Sequence, residues 1–209
     1  MVQAEAAISP VSDTRLVLDL ALTVRHDGRG GVADDLATPD GLTRWVRERR
    51  ALLGDGAGGE AWAADGHSLE AVRSLRAAVR ALFAHAVRPG GPSPADAGRL
   101  LPFEEALRRL NAAAAAVPTV PRLDWAPDRA PAVRDHPVGA TAERDALPAA
   151  LARAAVGFLA GPDRAALRAC HAPRCVRYFV KEHPRQEWCK PSCGNRARVA
   201  RHHERRRAT

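Results

Sequence analysis

Aromatic residues make up only 4% of this 209-residue chain, although 46% of it is apolar. A core with so few rings must be assembled from leucine, valine and alanine, which favours packed helices over a β-sandwich. Lysine is nearly absent too. Lys181 and Lys190 are the only two among 32 basic residues, the bias expected of a GC-rich bacterial genome. No stretch approaches the ~20 apolar residues of a membrane span, so no membrane partner is expected. The opening MVQAEAAISPVSDTR has no apolar centre flanked by basic residues and a cleavage site, so the expected address is the cytoplasm. Catalytic signatures are missing as well. There is no G-x-S-x-G, H-E-x-x-H or P-loop, and Gly28-Arg-Gly-Gly31 reads as a turn. With no cysteine before position 170 to serve as a nucleophile, the chain is expected not to be an enzyme.

What cysteine there is lies together. Cys170, Cys175, Cys189 and Cys193 are spaced C-x4-C, thirteen residues, C-x3-C. Two close pairs separated by a hairpin-sized gap form the pattern by which four thiolates close a tetrahedral zinc site. Zinc suits such a set, being borderline-soft with no redox chemistry of its own. Two disulfides would require an oxidising compartment, and redox catalysis would favour a C-x-x-C that is absent. Three cysteines with a histidine remain an alternative, with His171 and His183 the rivals. A segment this short could not fold alone, whereas structural zinc contributes on the order of 10–16 kcal/mol in finger peptides.

The arms of the site differ. Residues 177–181 are β-prone, 182–186 supply a turn, and Glu187-Trp188 is expected to return as a second strand. From Pro191 onward the chain is helix-compatible, with Ser192 a candidate N-cap and Cys193 in the first turn, where the helix dipole favours a thiolate. A knuckle, hairpin and helix of this kind make a treble-clef-like finger. From Cys170 onward there are eleven Lys/Arg and three acidic residues, so the finger carries the whole net charge of +8 and the rest is neutral. That asymmetry points to a polyanion-binding end on a neutral body; a solubilising basic tail is the bland alternative.

The body reads as mainly α, with at most a short β-hairpin. The expected divisions are a loosely held N-terminus at 1–14, a helical domain at 15–162 and the finger at 163–209. Residues Leu16–Val24 fit a buried helix or a strand. Thr38, Pro39 and Asp40 mark a helix start that runs through Leu42, Trp45, Val46 and Leu52-Leu53 to Gly54. A Gly/Asp/Ala-rich loop at 54–66 precedes a long helix capped by Ser68. Its apolar stripe is Leu69, Val72, Leu75, Val79, Leu82, Phe83 and Ala86, and Arg73, Arg76 and Arg80 are expected on a solvated face. Ser93-Pro94 starts another helix that Pro102 divides, leaving a main segment at 103–116 with Leu107 and Leu110 inward. Arg122–Trp125 and Ala132–Asp135 are candidates for a hairpin. A last helix spans 142–159 around Pro148, its stripe Leu147, Leu151, Ala155, Phe158 and Leu159, and 163–169 is expected as a helical turn or two.

Cys189-Lys-Pro-Ser-Cys193-Gly-Asn-Arg196, with the C-x4-C pair and Tyr178-Phe179 before it, resembles the CGNR zinc finger. The body resembles the ABATE domain through Leu18-Asp19, Thr23-Val24, Leu36-Ala-Thr-Pro-Asp40 and Trp45, departing from it at Leu20 and Leu22, where Phe and Asn are usual. The resemblance implies structural zinc on Cys170, Cys175, Cys189 and Cys193, and the role of a stress-induced transcription regulator that binds DNA. The basic residues expected to meet nucleic acid are Arg196, Arg198, Arg201, Arg205, Arg206, Arg207 and Lys181. Of these, Arg198, Arg201 and Arg205 form one stripe at i, i+3 and i+7. A finger this small needs help, so a homodimer is expected to supply a second interface. The competing class is a zinc-stabilised protein-interaction module, and RNA stacking on Tyr178 and Phe179 is a third reading. A small-molecule ligand of the body is left unknown.

Overall fold

The computed structural model describes residues 10–27, 31–53, 61–139 and 142–207. The chain opens with α1 (Pro10–Ala21), so residues 10–14 are helical rather than part of a loose terminus. The ambiguous run at 16–24 is thus helix as far as Ala21, and its last residue opens β1 (Val24–His26), paired antiparallel with β2 (Val32–Asp34) in the register Arg25↔Ala33. The turn expected at 28–31 lies, but for Gly31, outside the described residues.

α2 (Pro39–Glu48) starts as its sequence predicts. Thr38 Oγ1 accepts from the Gly41 N–H at 3.2 Å and Pro39 sits in the first turn. The expected single helix to Leu53 is instead broken at Arg49, after which α3 (Arg50–Leu53) follows. The stop at Gly54 and most of the loop after it lie outside the described residues.

α4 (Gly66–Ala86) is the central helix and packs against α1, α2, α6 and α7. Its N-cap is Asp65, not Ser68. The two close a reciprocal capping box, with the Ser68 N–H donating to Asp65 Oδ1 at 2.7 Å and the Asp65 N–H to Ser68 Oγ at 2.9 Å. Because α4 is surrounded, it is buried on far more than one stripe: Ala78, Ala81 and Ala84 are inside with Val72, Leu75, Val79 and Phe83. Two of the arginines expected in solvent are therefore buried, Arg76 at 6% and Arg80 at 5% exposure, and only Arg73 remains outside.

α5 (Pro94–Ala97) and α6 (Phe103–Ala115) follow, separated by Pro102 as predicted. Leu110 is buried, but Leu107 is 36% exposed and Ala106 takes the inward position. The predicted hairpin forms as β3 (Thr119–Asp124) and β4 (Ala132–Pro137), with Leu123 opposite Val133. Among the described residues the body thus has two strand pairs where one was expected.

α7 (Glu143–Ala160) carries Pro148 within it and buries Leu147, Leu151, Ala155 and Phe158. One turn of 3₁₀ helix at Pro162–Ala166 leads into β5 (Leu167–Ala169) rather than into more helix. β6 (Tyr178–Val180) pairs with β5 in the register Arg168↔Phe179. Residues 187–188 do not form the second strand: the partner of β6 comes from upstream of the first cysteine. α8 (Pro191–Arg207) closes the fold, with Ser192 inside it rather than capping it. Leu167, Ala169 and Tyr178 belong to the body's own core, where the Phe83 ring meets Tyr178 edge-on at 5.6 Å and Phe158 at 5.3 Å.

Candidate metal centre

The first cysteine pair forms a knuckle. The Cys175 N–H donates to Ala172 O at 2.9 Å, Arg174 takes a left-handed φ of 62°, and the Cys170 N–H returns to Arg177 O at 2.9 Å. The second pair is set by α8, whose first turn holds Cys193, while Cys189 lies just ahead of the helix. Cys170, Cys175 and Cys193 are buried and Cys189 is half-buried. Trp188 and Phe179 pack beside them as a small separate core.

The four Sγ atoms lie within 4.8 Å of one another. Neighbouring pairs are 3.8 Å apart (Cys175–Cys189), 3.5 Å (Cys189–Cys193) and 3.9 Å (Cys193–Cys175). A tetrahedral zinc with Zn–S of about 2.3 Å has sulfur–sulfur edges of about 3.8 Å. The sulfurs of Cys175, Cys189 and Cys193 therefore form one face of the tetrahedron such an ion requires, with Cys170 Sγ within 4.8 Å of each. Thiols of Cys175 and Cys189 hydrogen-bond to Cys170 and hold it far below an ordinary thiol. The contact with that thiolate pushes Cys175 and Cys189 up in turn. With no cation among them the sulfurs settle on one thiolate beside neutral thiols, and four thiolates in so small a space would require a cation. His171 and His183, the rival ligands, are exposed and stand outside the cluster.

The centre is seated on the body by a buried polar network. Arg80 donates to Ala21 O at 2.5 Å at the end of α1 and to Val176 O at 2.8 Å in the finger. It also pairs with Asp96 of α5 at 2.8 Å. The Tyr178 hydroxyl donates to the other Asp96 oxygen at 3.0 Å, and burial, then the charge of Asp96, raises the phenol's pKa so that it stays a donor. Ser93 Oγ donates to Cys175 O, which explains why Ser93 does not cap α5 with its side chain. A second network lies under β2, where Arg76 grips both Asp34 oxygens at 2.5 and 2.7 Å and donates to Thr23 Oγ1 at 2.9 Å.

Two family models match the chain. One, described as "Putative stress-induced transcription regulator" and named ABATE, covers residues 14–162. The other, the CGNR zinc finger, covers residues 166–206. The chain belongs to the ABATE family. No curated protein matches it. As an ABATE protein closed by a CGNR finger, it has structural zinc as its cofactor, and the clustered thiols fit that ion.

The basic residues singled out for nucleic acid are not all alike in this ABATE protein. Arg198, Arg201, Arg205, Arg206 and Arg207 are exposed along α8. Arg198 donates to Asn195 Oδ1, and Arg201 Nε donates to Ala197 O at 3.4 Å. Lys181 sits on a different element, just past β6, half-buried, with its N–H on Ala166 O. Arg196 is half-buried and donates from Nη2 to Cys193 Sγ at 3.3 Å. Sequence reasoning placed Arg76 and Arg80 in solvent and Ser93 at a helix start, and did not single out Asp96. Their one visible trace was two arginines four apart, alternating with Val72, Val79 and Phe83 on a helix of otherwise apolar character.

Among the described residues no helix is long and apolar enough to cross a membrane.

Proposed function

We propose that this protein is a DNA-binding transcription regulator in which zinc fixes the start of α8 and presents its basic face to the phosphate backbone. One observation carries the reading. α8 is held at its first turn by Cys193, yet Arg198, Arg201, Arg205, Arg206 and Arg207 remain exposed along the rest of the helix. Arg198, Arg201 and Arg205 follow one face and pair with phosphates, and those nearest the helix start reach base edges. Arg206, Arg207 and Lys181 add to the positive field that steers the encounter. The α-helical body sets the finger's orientation and offers the second interface that a finger this small requires for specific binding. No catalytic step enters this reading.

The test is fluorescence anisotropy of the zinc-loaded protein on duplex DNA, single-stranded RNA and heparin across a salt series. With about four phosphates neutralised, the slope of log K against log salt should be near −3.6, a loss of roughly two orders of magnitude between 50 and 200 mM. Absence of binding at about 50 mM salt refutes the proposal in favour of a protein-interaction module. Equal binding to all three polyanions reduces α8 to an adhesive tail.

A further inference from the structure

We propose that Arg196 is a positioning residue of the zinc centre, neutralising the thiolate cluster, and not one of the nucleic-acid contacts. Four thiolates around one divalent cation leave the centre doubly negative, and a buried excess of charge needs a compensating partner close by. Arg196 is placed to be that partner. Its Nη2 lies 3.3 Å from Cys193 Sγ, and its Nε is buried without a hydrogen-bond partner among the described residues. No carboxylate pairs with it among those residues either, so the sulfur cluster is the negative charge that faces it.

Helical geometry separates Arg196 from the exposed arginines. Cys193 and Arg196 are three residues apart and share a face of α8. At about 100° per residue, Arg198, Arg201 and Arg205 lie about 140–200° around the helix from Arg196. Measured from Cys193, Arg201 is about 80° around the helix, and it is the rise of about 12 Å along α8 that takes it clear of the metal, while Arg196 Nη2 reaches back to Cys193 Sγ. Its neighbour Ala197 is buried at 6% exposure.

Each residue of the Cys193–Arg196 quartet then has its own duty at the centre. Cys193 supplies a thiolate. Gly194 makes room for the Trp188 indole, since a Cβ at that position would stand 3.0 Å from Trp188 Cδ1. Asn195 accepts from Arg198 and holds it on the outer face. Arg196 supplies the counter-charge.

Full-length Arg196→Gln and Arg196→Lys proteins test this in competition with a chromophoric zinc chelator. Loss of an outer partner of a metal ligand typically costs 10–100-fold in metal affinity, and that range is expected for Arg196→Gln. Arg196→Lys keeps the charge without the planar fork and should recover part of the loss; it also serves if the glutamine variant does not fold. With cobalt in place of zinc, the thiolate-to-metal charge-transfer band should shift in Arg196→Gln and return toward its original energy in Arg196→Lys. On duplex DNA, zinc-saturated Arg196→Gln should keep the salt slope, whereas Arg201→Gln should lower its magnitude by about 0.9. Zinc affinity of Arg196→Gln within twofold of the parent overturns the assignment to the metal, and a slope change equal to that of Arg201→Gln overturns the exclusion from DNA. The metal measurements need no DNA, so failure of the regulator reading leaves them decisive.

Discussion

Replacing Asp96 with alanine should destabilise the protein more than any single exposed contact could. Arg80 and Asp96 face each other with side chains only 6% and 4% exposed. Removing one partner of such a pair strands the other charge in the interior, at a cost of about 3–5 kcal/mol. The Tyr178 hydroxyl loses its acceptor as well, whereas Arg80 keeps the carbonyls of Ala21 and Val176, which holds the expected loss near the lower end. Against a total stability of ~5–15 kcal/mol for a domain, that is a large share. Urea unfolding of the zinc-loaded protein, followed by far-ultraviolet circular dichroism, reads the loss directly. Arg80→Met alone should cost a similar amount, and the double variant Arg80→Met/Asp96→Leu should cost less than the sum, because neither charge is then left alone. Since Arg80 ties α1 and α5 to the finger, zinc should also leave Asp96→Ala faster in the presence of a chelator. A loss below about 1 kcal/mol, or strict additivity in the cycle, refutes the view that this pair anchors the finger.

The other pair, Arg76–Asp34, should show itself in pH. Burial alone would raise the Asp34 carboxyl, but Arg76, by hydrogen bond and charge, and the Leu36 N–H outweigh it and hold the pKa below the ordinary 3.8. A depressed folded-state pKa contributes stability that is present above about 3.8 and is lost as pH falls through the folded value. The stability gap between parent and Asp34→Asn should therefore be constant near neutrality and narrow below about pH 4; a gap that persists into acid contradicts the pairing. Gly41→Ala should destabilise by about 1–3 kcal/mol, because a Cβ there would lie 2.5 Å from the Asp35 carbonyl oxygen. A neutral thermal shift for that variant would show that the start of α2 yields more easily than the geometry implies.

Local rules carried the sequence reading where local chemistry decides structure. Thr38-Pro39 forms the predicted cap, Pro102 stands at the start of α6 after α5 has ended at Ala97, and the prolines around 117–137 accommodate a two-stranded hairpin because Pro121 and Pro137 lie in a ladder whose outer edges need no further partner. The four cysteines meet as their spacing implies, since a metal site is written in residue type and interval. What could not be read were features fixed by distant neighbours. The capping role passed from Ser68 to Asp65 because both residues take part in one reciprocal box, and sequence cannot tell which stands outside the helix. Local pattern places the second strand at Glu187-Trp188, whereas the partner of β6 is β5, on the far side of the knuckle. Arg76 and Arg80 looked like a solvated face because burial of α4 on several sides depends on α1, α6, α7 and the finger all reaching it.

That last discrepancy changes how the two matched regions relate. Leu167, Ala169 and Tyr178, which lie in the region matched by the finger, complete the body's core. Arg80 touches the end of α1, Asp96 of α5 and the Val176 carbonyl of the finger at once. Asp96 in turn takes the Tyr178 hydroxyl. Transmission of a signal from body to α8 would need an element with two discrete arrangements that both ends bias. A fully paired, buried arginine instead favours one arrangement, because leaving it for any other would strand its charge. The geometry therefore supports a fixed angle between body and basic helix. Under the regulatory role proposed above, the finger is therefore not expected to swing on a hinge.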